Sequence, residues 1–352
     1  MSATGKLSLS YYVLSLLSLI AFLAISTGCS GSQSASQDED VSAPGGTSAK
    51  LRVASTVSPI TSLAENIGGN RIALTGIVPE GTNSHTFEPS PSVAAILAEA
   101  DLFIANGLFL EEPTIRMAEA NQKEGAAHLI LGPKTITQDQ WVFDFSFPKE
   151  DGHPNPHLWT DPHLALRYAI HIRNELVRMD ADNAEYYNDN FGELSAKIND
   201  LDQRIIRAVS TIPRENRLLL TYHDSFPYFG PRYGFEIIGA VQPSDFTEPS
   251  AREVAALIEQ VRESQVPAIF GSEVFPSPVL RQIAQEGGAE FVDQLRDDDL
   301  PGEPGDPEHT YLGLILEDVR IITVALGGDT GALDGFDPSP VFEEDSGAVY
   351  PQ

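Results

Sequence analysis

The stretch NAEYYNDNFGELSAKINDLDQRIIRAVS, residues 183–210, decides the fold. Within it Tyr187, Phe191, Leu194, Ile198, Leu201, Ile205 and Val209 recur at steps of three and four, with polar residues between them. That period places one apolar stripe along a long amphipathic helix. At about 1.5 Å per residue the helix spans on the order of 40 Å. A coiled-coil arm is the competing reading, but roughly three to four heptads with no flanking extension suit a domain-spanning helix better. Such a stiff connector between two lobes favours small tilts and loop rearrangements over wide closure.

On either side of this helix, apolar runs alternate with helical patterns. The first lobe opens with the strand Leu51 to Ala54 and a helix from Ser58 to Ile67, stopped by Gly68-Gly69. Ile72 to Val78 and Leu102 to Ala105 are further strands, with a helix from Pro91 to Glu99 between them. The second lobe repeats the rhythm with strands Leu218 to Thr221, Glu236 to Ala240, Ala268 to Phe270 and Glu290 to Val292. Ser250 begins a helix there, and Glu253 completes a capping box. A last helix is expected from Pro307 to Leu326. The expected fold class is α/β: two similar βα lobes, each with a mostly parallel sheet, joined by one long rigid helix. Ligands of such sheets bind beyond the carboxyl ends of the strands.

Four residues stand at such positions. His85, His157, His223 and Asp293 each lie in or just after a turn that follows an apolar run, at successive intervals of 72, 66 and 70 residues. The offset from His85 to His223 is 138 residues and from His157 to Asp293 is 136, which fits two lobes of similar topology contributing two groups each. Three imidazoles and one carboxylate fill the four positions of a tetrahedral Zn²⁺ site. Groups carried on four separate loops converge only in the folded chain, so the site is expected in the cleft between the lobes.

Composition bounds the rest. A chain of 352 residues exceeds the usual size of one core, and 41% hydrophobic residues suffice for packed lobes. The formal charge of −29, from 51 acidic against 22 basic residues, argues against nucleic-acid binding. Residues 1–29 are expected to be a lipoprotein signal peptide, with an apolar stretch from Tyr11 to Ile25 too short for a comfortable membrane span. It ends at Cys29, the only cysteine, which excludes an internal disulfide. Residues 30–50 have the composition of a flexible tether. The first lobe is then 51–182, the linking helix 183–210, the second lobe 211–330, and 331–352 an acidic disordered tail.

The motifs together resemble the zinc- and manganese-binding lipoproteins of bacterial metal-ion ABC importers, the zinc-uptake group of solute-binding proteins. The resemblance rests on Val78-Pro79-Glu80-Gly81 running into His85-Thr86-Phe87-Glu88-Pro89, on Asn155-Pro156-His157-Leu158-Trp159-Thr160-Asp161-Pro162, and on Tyr222-His223-Asp224-Ser225-Phe226-Pro227. It covers about Leu51 to Leu326. It implies that His85, His157 and His223 are metal ligands, with a carboxylate late in the second lobe as the fourth. Asp293 fits best, while Asp297, Asp298 and Asp299 follow closely enough to shift the register. Zinc-specific members often carry a histidine-rich loop before the second ligand, whereas residues 144–155 here hold only His153. The resemblance also implies an extracytoplasmic protein, anchored through a lipid on Cys29, that delivers its ion to a membrane permease as a monomer.

Three imidazoles lean toward Zn²⁺ as cargo, with Mn²⁺ as the alternative that prefers more oxygen donors. Asp224 and Glu273 are candidates for orienting the rings. A zinc hydrolase with an open three-histidine site is the competing class, and no His-Glu-x-x-His helix supports it. A metal-binding surface adhesin is the other alternative. His153, close to a ligand on a loop, is a candidate for transient ion capture. His128, His163, His171 and His309 read as ordinary strand-edge or helix residues.

Overall fold

The computed structural model describes residues 49–350 apart from 245, 273, 275–277 and 343–346. The expected signal peptide, Cys29 and nearly all of the tether lie outside the described residues, as does Glu273. Among the described residues no helix is long and apolar enough to cross a membrane.

The first sheet contains Leu51–Ser55 (β1), Ile72–Gly76 (β2), Leu102–Ala105 (β3) and Ala127–Ile130 (β4). Its crossovers carry Ser58–Gly68 (α1), Pro91–Glu99 (α2) and Glu112–Asn121 (α3), and Gly132–Thr135 (α4) follows it. Pro162–Met179 (α5) and Ala184–Ser210 (α6) come next. The second sheet contains Leu218–Thr221 (β5), Glu236–Ala240 (β6), Ala268–Ser272 (β7) and Glu290–Leu295 (β8). Phe229–Tyr233 (α7), Ala251–Ser264 (α8) and Pro278–Gly287 (α9) connect these strands, and Tyr311–Ala325 (α10) closes the domain. The strand orders are β2-β1-β3-β4 and β6-β5-β7-β8, and every pair is parallel. The two sheets therefore share one topology.

Inner strands are buried on both faces because crossover helices cover them. Leu102, Phe103, Ile104 and Ala105 of β3 are all buried, as are all five residues of β7, whereas β2 at its sheet's edge alternates. Ser250 caps α8 through the expected box with Glu253.

The connector α6 buries Tyr187, Leu194, Ile198, Leu201, Ile205 and Val209, while Phe191 is half-buried under the Arg173 guanidinium. It packs on α1, α5 and α10. Two polar side chains in its stripe tie it to the lobes. Asn190 donates to the Ile67 carbonyl at the end of α1, across 3.1 Å. Asp202 accepts from Arg232 at 2.7 Å and from the Tyr233 hydroxyl at 2.7 Å, both on α7. The helix is thus fastened to both lobes by buried groups, which gives the stiff connection its physical basis.

The C-terminal segment departs from expectation. Rather than forming a disordered tail, residues 331–342 and 347–350 pack back on the domain. Leu333 is buried, Lys197 on α6 pairs with Asp337, and Val341 N donates to Asn66. Val349 then bridges Thr75 at the free edge of β2. An acidic composition hid the few apolar and backbone contacts that seat this segment.

Candidate metal centre

Three of the four proposed groups meet. His85 lies in the loop after β2, His157 in the long connection before α5, and His223 directly after β5. Asn83 Oδ1 accepts the backbone N–H of His85 at 2.9 Å, and Asn155 Oδ1 accepts that of His157 at 3.1 Å. Each asparagine, two residues before its histidine, closes a small side-chain turn that fixes the loop. The Thr221 hydroxyl plays a comparable part, donating to the His223 carbonyl at 2.6 Å. Gly81, at φ 73°, makes the left-handed turn that leads the chain from β2 toward His85.

The Nε2 atoms of His85 and His157 are 3.2 Å apart, and those of His223 and His85 are 3.1 Å apart. The edge of a tetrahedron with metal–nitrogen bonds of about 2.0 Å is about 3.3 Å. His157 and His223 are buried and His85 half-buried. Burial first, and then the charge of the neighbouring imidazoles, hold His85 and His157 well below the ordinary histidine range. That shift favours the neutral form of His85 and His157, with nitrogen lone pairs available.

Partners on the far side of the rings select those lone pairs. His157 Nδ1 donates to Asn155 Oδ1 at 2.7 Å, because an amide oxygen only accepts. His223 Nδ1 faces the Asp297 carboxylate. With the proton held at Nδ1, Nε2 of both rings is left as a donor to a cation.

Asp293 is not with them. It lies within β8, exposed, with its carboxylate 3.6 Å from Arg281, and among the described residues it belongs to neither group of close metal-capable atoms. The reason is strand length: pairing was expected to end at Val292, but it continues to Leu295 opposite Ser272. The loop at the carboxyl end of β8 therefore begins three residues later and presents Asp297, Asp298 and Asp299, all buried. Ligand-capable atoms of His157, Asp297 and Asp298 lie within 4.8 Å of one another. Asp297 is occupied with His223, and burial followed by the charge of Asp299 pushes it up to about 7. Asp298 accepts from the Ser84 hydroxyl at 2.5 Å.

Backbone contacts lock this loop to the His85 loop. Gly81 N donates to Asp299 at 2.7 Å, and Leu300 N donates to Glu80 at 3.2 Å. Trp159 Nε1 donates to the Asp297 carbonyl at 2.8 Å. Asp224, expected to orient a ring, instead accepts from Ser146 N at 3.0 Å and pairs with Asp144. Burial and then the Asp224 charge push Asp144 up to about 9, so the pair holds a proton.

A cavity of about 220 Å³ opens onto His85, lined also by Phe109, Phe147, Asp151, His153 and Phe246. Phe246 adopts a left-handed φ of 56° and stacks on the His85 ring, with centroids 4.4 Å apart. His153 stacks on Phe109 at 4.2 Å.

Sequence reasoning missed Asn155, Ser84 and Trp159 as supporting residues. The asparagines carried a readable signal, since Asn83-Ser84-His85 and Asn155-Pro156-His157 repeat the same two-residue offset. Nothing local in the sequence marked Ser84 or Trp159, whose partners lie more than a hundred residues away.

Comparisons with known proteins bear on the family and the fold. The profile of the ZnuA family, zinc-uptake complex component A, periplasmic, matches residues 53–325. The chain is similar to the iron-binding protein YfeA of Yersinia pestis, 30% identical over 286 residues, covering 81% of this chain and 88% of that protein. It is also similar to the manganese-binding lipoprotein MntA of Halalkalibacterium halodurans, 28% identical over 276 residues, covering 76% and 86%. Among solved structures, the periplasmic zinc binding protein TroA from Treponema pallidum matches with a TM-score of 0.71 at 25% identity, covering 79% of this chain and 99% of that one.

Proposed function

We propose that this chain, which belongs to the zinc-uptake complex component A family, captures a divalent transition-metal ion between its lobes and delivers it to the permease of an ABC importer. Family membership carries the coarse reading, a metal-binding component of such an importer and not an enzyme. The observation that supports the site is that His85 Nε2 lies 3.2 Å from His157 Nε2 and 3.1 Å from His223 Nε2 in a buried cleft.

His85, His157 and His223 are the nitrogen ligands in this reading. Asp298 replaces Asp293 as the carboxylate, because it is buried and close to His157 while Asp293 is exposed on Arg281. Asp297 and Asn155 set the protons of the rings. Three nitrogens and one oxygen favour Zn²⁺ over Mn²⁺. Relatives are named for iron, manganese and zinc alike, so the cargo is decided by this chain's own donor set. A fourth protein ligand closes the position that a hydrolytic water needs, which removes the support for the hydrolase alternative.

The remainder of the proposal concerns place. Cys29 carries the lipid, the 30–50 segment tethers the domain to the extracytoplasmic face, and the monomer meets its permease there. A single acyl chain holds a protein only marginally, so firm attachment requires more than one. Metal analysis of protein purified without chelators, followed by competition of Zn²⁺ against Mn²⁺, tests the cargo. Bound zinc with preference for Zn²⁺ supports the reading, and metal-free protein that takes up neither ion contradicts it.

A further inference from the structure

We infer that Phe246 is a positioning residue: its ring, carried by the second lobe, lies as a lid on the His85 imidazole of the first and slows departure of the bound ion. The inference rests on the assignment of His85 as a ligand made above.

His85 differs from the other two histidines in how its ring is held. Asn155 and Asp297 engage the far nitrogens of His157 and His223. Among the described residues no hydrogen bond reaches Nδ1 of His85, whose ring contacts run from Nε2 to the other two imidazoles. Its orientation therefore comes from packing. Phe246 lies nearly parallel to the imidazole, with centroids 4.4 Å apart and planes at 17°, and Phe147 tilts against it at 5.5 Å. Aromatic contacts of this kind favour defined ring geometries beyond the area that they bury.

The loop after β6 holds the Phe246 ring there at a backbone cost. Phe246 has a φ of 56°, a left-handed conformation that bulky side chains rarely adopt and that persists where the surroundings over-determine it. Contacts on both sides do so. Gln242 N donates to the Tyr222 carbonyl at 2.9 Å, the Gln242 carbonyl accepts from the Ser146 hydroxyl at 2.6 Å, and Phe246 N closes a turn on the Pro243 carbonyl at 3.0 Å. Beyond the ring, Glu248 accepts from the Tyr222 hydroxyl at 3.3 Å. Phe246 belongs to none of the three apolar cores, so the strained backbone serves its contacts with His85 and Phe147. Tyr222 directly precedes His223, so the lid is anchored beside one ligand while its ring rests on another. A small displacement of the second lobe lifts the lid and frees the His85 imidazole in one movement.

The test uses Phe246→Ala, Phe246→Tyr, which keeps the ring, and His85→Ala as the control on the ligand assignment. Zn²⁺-loaded protein is mixed with excess chelator and the rate of Zn²⁺ release is followed. The ring-proton resonances of His85, identified by their disappearance in His85→Ala, are read by NMR in the same proteins. Phe246→Ala is expected to release Zn²⁺ about 10- to 100-fold faster, the usual loss when a ligand's supporting partner is removed, expressed here in the off-rate. Its His85 resonances should move downfield as the Phe246 ring current is lost. Phe246→Tyr should keep the parent rate and resonances. Parent-like release or unmoved His85 resonances in Phe246→Ala, or release from Phe246→Tyr as fast as from Phe246→Ala, overturns the inference. Parent-like Zn²⁺ binding in His85→Ala instead overturns the ligand assignment itself.

Discussion

The Nδ1–H of His157 donates to Oδ1 of Asn155 across 2.7 Å, and the same oxygen receives the His157 backbone N–H. One side chain therefore fixes both the loop and the tautomer of a buried imidazole. Asn155 also donates to the Asp224 carbonyl at 2.6 Å, joining the His157 loop to the turn that carries His223.

Asn155→Ala should consequently weaken Zn²⁺ binding by about 10- to 100-fold while leaving the fold intact. Calorimetric titration alongside circular dichroism checks this. Parent-like affinity in the folded variant would show that the tautomer is set elsewhere.

Metal retention should also survive mild acid. His85 and His157 are held well below 6.5 by burial, so protons compete for their nitrogens only at more acidic pH than for an exposed histidine. Zn²⁺ affinity should stay nearly flat as pH falls through 6.5 and drop only below it. A titration of affinity against pH decides, and a steep loss centred on 6.5 would be the contrary result.

Glu65 under the C-terminal segment makes stability depend on pH in the opposite sense to a paired carboxylate. It accepts Ala348 N at 3.1 Å, and burial raises it from 4.5 to about 7. Folding therefore takes up a proton between those values, so this contribution is full below 4.5 and lost as pH rises through about 7. Glu65→Gln should be more stable than the parent above pH 7, by up to about 3 kcal/mol, with the gain vanishing in acid. Urea denaturation at two pH values measures it, and a variant less stable than the parent at high pH would refute the assignment.

The connector has its own test. Asp202→Ala leaves Arg232 and Tyr233 facing a lost carboxylate and removes the tie between α6 and α7. Arg232 is exposed and keeps Asp161 at 3.3 Å, so the cost is that of the lost hydrogen bonds to a carboxylate, about 1–3 kcal/mol. Thermal and urea unfolding should register that loss, and a change below about 0.5 kcal/mol would mean that apolar packing alone holds the helix to the second lobe.

Much of this architecture is legible in the sequence because its signals are local. The stripe from Tyr187 to Val209 follows the helical period, and Ser250 with Glu253 spells out a cap, so both elements are found where the residues place them. The three histidines follow from turns at strand ends. The position of Asp293 was not legible in this way. Where β8 stops depends on pairing with β7, through an irregular register between Phe270 and Ser272 that no local pattern announces. Ser84 and Asp298 are 214 residues apart, and only folding brings them together. The docking of Val349 at β2 was hidden in the same way, since one backbone bridge leaves no periodicity to read.

The central claim is the ligand set, and a chelator-competition titration of Zn²⁺ against single alanine variants tests it most directly. His85→Ala, His157→Ala, His223→Ala and Asp298→Ala should each lose well over about tenfold in affinity, at least the cost of a lost outer partner, while Asp293→Ala binds like the parent. Full loss in Asp293→Ala with parent-like binding in Asp298→Ala, or undiminished binding in all three histidine variants, would contradict the account.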